Sequence, residues 1–319
     1  MTGLAILGAG AFGSALAITL SSTGPVTLWA RDPAQADEIA ATRRNARHLP
    51  GIDLPPEISV TSDLEGVDAD TLLLALPTQR LDAFLDTHGR TIDGRTIVLC
   101  CKGVHLATGL RPSVLTARHC PNARIAVLTG PSFATDIARG LPTALTLASK
   151  FDGEDLQARL STPTLRLYLT HDITGAELGG ALKNVVALAA GITIGAGLAD
   201  SARAAVVTRG FAEMTRFAVA AGAQAETLAG LSGLGDLILT CTSEKSRNYA
   251  AGLALGRGDA LPDSVTIEGV ATAHAVAAAA RAAGEDMPLT DMVAAVVDGS
   301  VSVAEATTAL MARPLKKET

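Results

Sequence analysis

Residues 4–20 read LAILGAGAFGSALAITL. Four apolar residues, Leu4 to Leu7, make the short run a buried strand uses. They break into Gly8-Ala9-Gly10-Ala11-Phe12-Gly13, and Ser14 to Leu20 continue with helical character. Each glycine has a physical use in such a turn. Gly8 permits the tight reversal, Gly10 lets backbone come close to a pyrophosphate, and Gly13 lets the helix pack against the strand, while the helix N-terminus turns its free N–H groups toward the anion. The bland alternative is a glycine turn that only changes direction. Position decides between them: this turn directly follows the opening strand and begins a unit of about thirty residues, the context a dinucleotide-binding turn requires.

Outward from this stretch the same rhythm repeats. Short β-rich runs at Val26 to Trp29, Ile58 to Val60, Thr71 to Leu76, Thr96 to Cys101, Ile125 to Leu128, Ala144 to Leu147 and Leu165 to Leu169 alternate with helical segments. That alternation predicts βαβ units and a mostly parallel sheet covered on both faces. From about residue 172 the β-branched runs give way to long Ala- and Leu-rich segments with helical spacing, broken at Ala221 to Ala223, at Gly230, Gly233 and Gly235, at Gly256 to Asp263 and at Gly284 to Pro288. The expectation is a Rossmann-like α/β domain over 1–175 and an all-α domain over 176–319, the boundary falling between residues 170 and 180. The tail from Arg313 to Thr319 reads as frayed and charged.

Composition narrows the function classes. A length of 319 residues corresponds to about two domains. With 48% hydrophobic and 18% charged residues the chain has ample material for a core, which excludes wholesale disorder. A net charge of −6 argues against duplex nucleic acid as a bulk partner, and six Phe, two Tyr and one Trp are too few for a single-strand stacking platform. Cys100, Cys101, Cys120 and Cys241 show no metal spacing and suit a reducing cytoplasm, with Cys100 and Cys101 read as core. His48, His88, His105, His119, His171 and His274 are scattered, so no metal site is expected. Met1, Thr2 and Gly3 leave no room for an export signal before the first apolar run. Val185 to Ala199 is shorter than the ~20 apolar residues of a membrane span and carries three glycines, so it reads as a buried helix.

The chemistry-bearing residues gather at strand ends and on the later helices. After the second strand, Arg31 can pair with a ribose 2′-phosphate and leans the cofactor toward NADP, while Asp32 serves either a 2′-hydroxyl or the cap of a helix begun by Pro33. Leu76 runs into Pro77-Thr78-Gln79, Cys101 into Lys102-Gly103, and Leu128 into Thr129-Gly130-Pro131-Ser132-Phe133-Ala134. In an open parallel sheet these ends line one crevice with the Gly8 turn. Lys102 is there either a point charge for a phosphate or carboxylate or a solvated lysine, and Ser132 either an anion donor or a helix cap. Lys183 is the sharpest anomaly, the only ionisable side chain between Glu177 and Asp200. It either snorkels to water or is desolvated, and desolvation lowers its pKa toward proton-transfer range. Beside it, Asn184 orients a neighbour or satisfies itself within the helix. Asp236 and Thr240 share a helix face, although Asp236 also suits an N-cap after glycine, and Ser246-Arg247-Asn248 reads as a phosphate clamp or a plain helix start.

Taken together these segments resemble the bacterial-type NAD(P)-dependent glycerol-3-phosphate dehydrogenases. The resemblance is carried by the Gly8 to Ala17 turn and helix, Lys102-Gly103, Gly130-Pro131-Ser132-Phe133-Ala134, Gly179-Gly180-Ala181-Leu182-Lys183-Asn184, Gly233-Leu234-Gly235-Asp236-Leu237 and Ser246-Arg247-Asn248, in matching order from Gly8 to Asn248, with a weaker echo beyond. It implies a cytoplasmic enzyme that interconverts sn-glycerol 3-phosphate and dihydroxyacetone phosphate by hydride transfer and supplies phospholipid synthesis. Beside the turn glycines Gly8, Gly10 and Gly13, it implies dinucleotide contacts at Ala11, Phe12, Arg31, Lys102, Ala134, Arg247 and Glu268. Substrate contacts are implied at Lys102, Gly130, Ser132, Lys183, Asp236, Ser246, Arg247 and Asn248, with Lys183 as the proton-handling group, Asp236 positioning it, Lys102 among the catalytic residues and Thr240 near that lysine. His105, Asp136 and Thr266 depart from the common pattern. Two other readings stay open at this point: a two-domain dehydrogenase of the 3-hydroxyacid type, separable by a phosphate-dependent substrate panel, and a dinucleotide sensor that binds NADPH and consumes none. The Ala-rich helices suit either a homodimer interface or a core.

Overall fold

The computed structural model describes residues 3–260 and 267–314. Among them the strands are β1 (Leu4–Leu7), β2 (Val26–Trp29), β3 (Ile58–Thr61), β4 (Thr71–Leu74), β5 (Thr96–Leu99), β6 (Arg124–Thr129), β7 (Thr143–Ser149) and β8 (Leu165–Thr170). Interleaved with them run α1 (Ala11–Leu20), α2 (Pro33–Thr42), α3 (Thr78–Ile92), α4 (Pro112–His119), α5 (Ala134–Ala138) and α6 (Glu154–Leu160). The rest is helical: α7 (Ile173–Gly195), α8 (Ala199–Ala220), α9 (Ala225–Ala229), a π-helical turn at Leu231–Gly235, α10 (Asp236–Cys241), α11 (Arg247–Arg257), α12 (Glu268–Ala283), α13 (Pro288–Val297) and α14 (Val303–Met311). The predicted break at 261–263, Thr266 and the tail at 315–319 lie outside the described residues.

The strands form one sheet in the order β3-β2-β1-β4-β5-β6-β7-β8, the first six in the dinucleotide-fold order. Leu4 pairs with Val26 on one side and Thr71 on the other, so β1 is central and all four of its residues are buried. Alternation sends Leu4 and Ile6 into a core with Leu16, Leu20 and Leu28, and Ala5 and Leu7 into a second core with Leu72, Leu74, Leu81 and Leu85. Both faces are therefore covered, which is why these strands read as continuous apolar runs.

Neighbouring strands are parallel except β6 and β7, which pair antiparallel. The cause lies in the connection: α5 has only five residues, about 7.5 Å of helix, too short to carry the chain back to the far end of the sheet. The runs expected to reach Leu76 and Cys101 leave the ladder at Leu74 and Leu99, where the chain bends out into the crevice.

Helix α7 is buried all round, and its partner α11 crosses it at backbone contact distance. A Cβ on Gly191 would lie 2.2 Å from the Tyr249 carbonyl oxygen, and one on Gly252 would lie 2.2 Å from that of Leu188. Those glycines leave no room for a side chain between the two backbones, and the expected buried helix over 185–199 is the second half of this core helix, which ends at Gly195. It is the one helix among the described residues long and apolar enough to cross a membrane, and 89% of its most apolar window is buried inside the structure. Asp172 caps it, accepting from Gly175 N at 2.8 Å with one oxygen and from Gln224 N at 2.8 Å with the other.

Candidate active site

The Gly8 turn opens at the carboxyl end of β1, where strand order reverses between β2 and β4. Gly8 has φ +122°, and a Cβ there would lie 2.6 Å from the Ala75 carbonyl oxygen; a Cβ on Gly13 would lie 2.0 Å from the Gly8 carbonyl oxygen. Gly10 differs, since a Cβ there meets nothing within 4 Å. Its open side faces away from protein at the start of α1, a helix whose first turn no side chain caps. Uncapped N–H groups beside an open glycine are the donor set a pyrophosphate requires, so the residues fit a dinucleotide. Ala11 and Phe12 begin the helix and are half-buried.

Two neighbouring strand ends contribute Lys102 and Gly130. The Lys102 carbonyl accepts from Thr78 Oγ1, and Gln79 holds the following loop by donating to the Val104 carbonyl and accepting from Leu106 N. Where this loop enters α4, Glu177 of α7 accepts from Ser113 N, Ser113 Oγ and Arg111 Nη1 at 2.7, 2.6 and 2.9 Å. Burial raises the Glu177 pKa against those bonds, and the carboxylate stands in for the missing side-chain cap of α4. Lys102 Nζ donates to the Gly130 carbonyl at 3.3 Å, and Gly130, at φ +143°, packs against Leu145. Ser132 Oγ donates to the same carbonyl at 3.3 Å and does not cap α5, whose N-cap is Phe133; Ala134 opens that helix.

Lys183 projects from the middle of α7, its side chain 8% exposed. Its Nζ donates to Asp236 Oδ1 at 2.5 Å and to Thr240 Oγ1 at 2.8 Å, so it does not snorkel to water. Lys102 Nζ donates to the other carboxylate oxygen, Asp236 Oδ2, at 2.7 Å, with its side chain 20% exposed. The N-cap expectation for Asp236 therefore fails. Its helix continues directly from the π-helical turn, and the carboxylate is spent on two ammonium groups. Small residues make this approach possible. A Cβ on Gly179 would lie 2.7 Å from the Ser232 carbonyl oxygen, and one on Gly180 2.9 Å from Thr129 Oγ1 and 3.7 Å from Lys102 Cγ.

Two ammonium groups share one buried carboxylate, which leaves one positive charge in excess. Burial, then the charge of Lys102, bring the Lys183 pKa down to about 8 against the pull of Asp236. For Asp236 burial works upward, but the two lysines outweigh it and hold the carboxyl below its ordinary range. The cluster is thus built to meet negative charge and to give or take a proton near neutrality.

Farther along, Ser246 caps α11, accepting from Tyr249 N at 3.2 Å, so the helix-start expectation for it holds. Arg247 is exposed, with its guanidinium 3.7 Å from Glu268. Asn248 is buried, and its Oδ1 accepts from Gly269 N at 2.8 Å, which leaves its amide hydrogens as donors. Asn184 Nδ2 donates to Glu268 Oε2 at 3.2 Å, so that amide orients a neighbour. Arg31 stands exposed beyond β2, whereas Asp32 caps α2, accepting from Ala34 N at 3.0 Å. Asp136 pairs with Lys245 at 3.1 Å across the crevice. Cys100 and Cys101 are buried, with burial pushing the Cys101 thiol up to about 12. Glu177, Gln35 and Asn45 were not singled out from sequence. For Glu177 a carboxylate six residues before the lone lysine was the available signal; the other two carried none.

Against known families, residues 3–154 match the model of the N-terminus of NAD-dependent glycerol-3-phosphate dehydrogenase, and residues 172–308 match that of its C-terminus. The chain belongs to the NAD-dependent glycerol-3-phosphate dehydrogenase family. It is 58% identical over 317 residues to glycerol-3-phosphate dehydrogenase [NAD(P)+] of Paracoccus denitrificans, covering 99% of both chains. It is 55% identical over 318 residues to the protein of that name from a Ruegeria species, again covering 99% of each. The crystal structure of glycerol-3-phosphate dehydrogenase from Coxiella burnetii superposes with a TM-score of 0.91 at 35% identity, covering 98% of this chain and 99% of that one.

Proposed function

We infer that this chain interconverts sn-glycerol 3-phosphate and dihydroxyacetone phosphate with NAD(P) as the redox partner. The observation that carries this is Asp236 holding two ammonium groups, at 2.5 and 2.7 Å, in the crevice at the strand ends. A sensor has no use for such a cluster, and the full-length relatives bearing the glycerol-3-phosphate name favour this substrate over a 3-hydroxyacid.

When bound along the Gly8 turn, the dinucleotide supplies or accepts the hydride. In ketone reduction Lys183 Nζ hydrogen-bonds the substrate C2 oxygen and passes it a proton as negative charge develops there, leaving a neutral amine; in the reverse direction the amine takes that proton back. Asp236 and Thr240 hold Nζ in place, and the excess charge shared with Lys102 stabilises the oxyanion. Arg247, with its fork of donors, and Asn248, whose amide hydrogens remain available, hold the phosphate and so place the reacting carbon. Gly130, Ser132 and Ser246 line the same substrate space, and Ala134 and Glu268 its dinucleotide side.

The cofactor preference leans to NADP. What supports it is Arg31, exposed at the end of β2 beside an Asp32 whose carboxylate is already engaged as a helix cap. Four buried thiols without disulfide partners support the cytoplasm as its compartment.

The test is loss of 340 nm absorbance when dihydroxyacetone phosphate is added to protein with NADPH, compared with unphosphorylated dihydroxyacetone. Turnover is expected with the phosphorylated ketone alone, and its absence with both refutes the reading. In the same assay Arg247→Ala is expected to raise KM for the phosphorylated substrate about tenfold or more while leaving kcat within a few-fold, as loss of a charge-assisted bond does. An unchanged KM would remove Arg247 from phosphate binding.

A further inference from the structure

Ala9 lies between the first two glycines of the turn, and its carbonyl points away from the open side. It accepts from Asn45 Nδ2 at 2.9 Å and from Gln35 Nε2 at 3.1 Å. Asn45 is 2% exposed and comes from the segment that joins α2 to β3, far along the chain. The second hydrogen of the same amide goes to Ser14 Oγ at 2.8 Å. A carbonyl can only accept, so the amide is oriented with nitrogen toward Ala9 and both of its hydrogens are committed. The backbone of Asn45 is held as well, because its own carbonyl accepts from Leu49 N at 2.8 Å and from His48 N at 3.2 Å. The gripping group is therefore rigid.

The consequence follows from peptide planarity. In a trans peptide the carbonyl of Ala9 and the N–H of Gly10 point in opposite directions. Drawing the carbonyl toward Asn45 and Gln35 turns the Gly10 N–H the other way, toward the side where Gly10 has nothing within 4 Å. With glycine on one side the barrier to rotating this peptide is small, and the flipped form would present a carbonyl oxygen to an anion. We propose that Asn45, assisted by Gln35, is a positioning residue that fixes the Ala9–Gly10 peptide with its N–H facing the dinucleotide pyrophosphate.

This inference rests on the reading of the Gly8 turn as the dinucleotide site, so its test measures binding rather than turnover. Dissociation constants for NADPH and NADH are taken by isothermal titration calorimetry on the full-length protein, with thermal melts alongside. Asn45→Ala is expected to weaken both dinucleotides by the same factor, roughly tenfold, the equivalent of one well-made buried hydrogen bond. The factor is equal because the effect is at the pyrophosphate and not at the ribose. Asn45→Asp, which sets a carboxylate against the carbonyl, is expected to weaken both further. Gln35→Ala removes one of the two donors from a half-buried position and is expected to weaken both about threefold, which keeps the test available if the Asn45 variants do not fold. Saturated with dinucleotide, Asn45→Ala should retain a KM for dihydroxyacetone phosphate within about twofold of the parent, as uniform binding loss requires. Unchanged dissociation constants in folded Asn45→Ala and Gln35→Ala would overturn the proposal, as would weakening confined to NADPH. A parent protein that binds dinucleotide and reduces no ketone would instead refute the function and leave this proposal standing.

Discussion

Lys183→Ala is expected to lower kcat for dihydroxyacetone phosphate reduction by roughly 10²- to 10⁴-fold, the range for loss of a proton-transfer group. The argument is one of geometry and charge. Lys183 is the more enclosed of the two ammonium groups that bind Asp236, 8% exposed against 20% for Lys102, and Asp236 and Thr240 fix its Nζ from two directions at 2.5 and 2.8 Å. Removing it leaves the alkoxide without a donor at the position where charge forms. The fold should tolerate the change, because Asp236 keeps its bond to Lys102 at 2.7 Å and no carboxylate is left buried alone. The variant should therefore melt near the parent temperature, bind dinucleotide normally and turn over very slowly. Single-turnover and steady-state kinetics check this, and kcat within about tenfold of the parent would place the proton donor elsewhere.

Asp236→Asn is expected to damage both stability and rate, which distinguishes it from the lysine variant. Here the charge that neutralises two buried ammonium groups disappears. Removing one member of a buried ion pair costs about 3–5 kcal/mol, because the remaining charge stays desolvated. The side chain of Asp236 is 1% exposed, so water offers little compensation. The protein can escape part of that cost by releasing a proton from one lysine, and Lys183, already brought down by burial and by Lys102, is the one expected to lose it. At neutral pH the variant should thus hold an amine where reduction needs an ammonium. A lower urea midpoint and a kcat reduced by about 10²-fold or more are expected. Adding Lys102→Met to Asp236→Asn should restore part of the urea midpoint by removing the second unpaired charge; an unchanged midpoint in Asp236→Asn itself would show that the three groups do not share one energy.

How much of this was legible in the sequence follows from how local each feature is. The Gly8 turn, the strand runs and the long buried helix depend on residues within a few positions of one another, and periodicity and glycine spacing expose them. Lys183 was visible because a lone charge in an apolar helix breaks a pattern. Its partner was not fixed by pattern: Asp236 lies 53 residues away, and by local rules it reads equally well as a helix cap. The structure separates the two readings, because the π-helical turn feeds α10 without a break and frees the carboxylate for the lysines. Asn45 and Glu177 are of the same kind, acting 36 residues from Ala9 and 64 from Ser113, through contacts that only the folded chain creates. The reversed direction of β7 was hidden for another reason. It depends on α5 being a single short turn, and nothing in that stretch distinguishes a short helix from a longer one.

The most direct test of Lys183 as the proton-handling group is kcat/KM measured against pH in both directions of the reaction. With its pKa brought to about 8, Lys183 is protonated at lower pH and neutral at higher pH. Ketone reduction, which needs the ammonium, should be level on the acid side and fall about tenfold per pH unit above that value; alcohol oxidation, which needs the amine, should rise to it and then level off. Both breaks should vanish in Lys183→Ala. Breaks that persist in that variant, or profiles that bend the same way in both directions, would contradict the account.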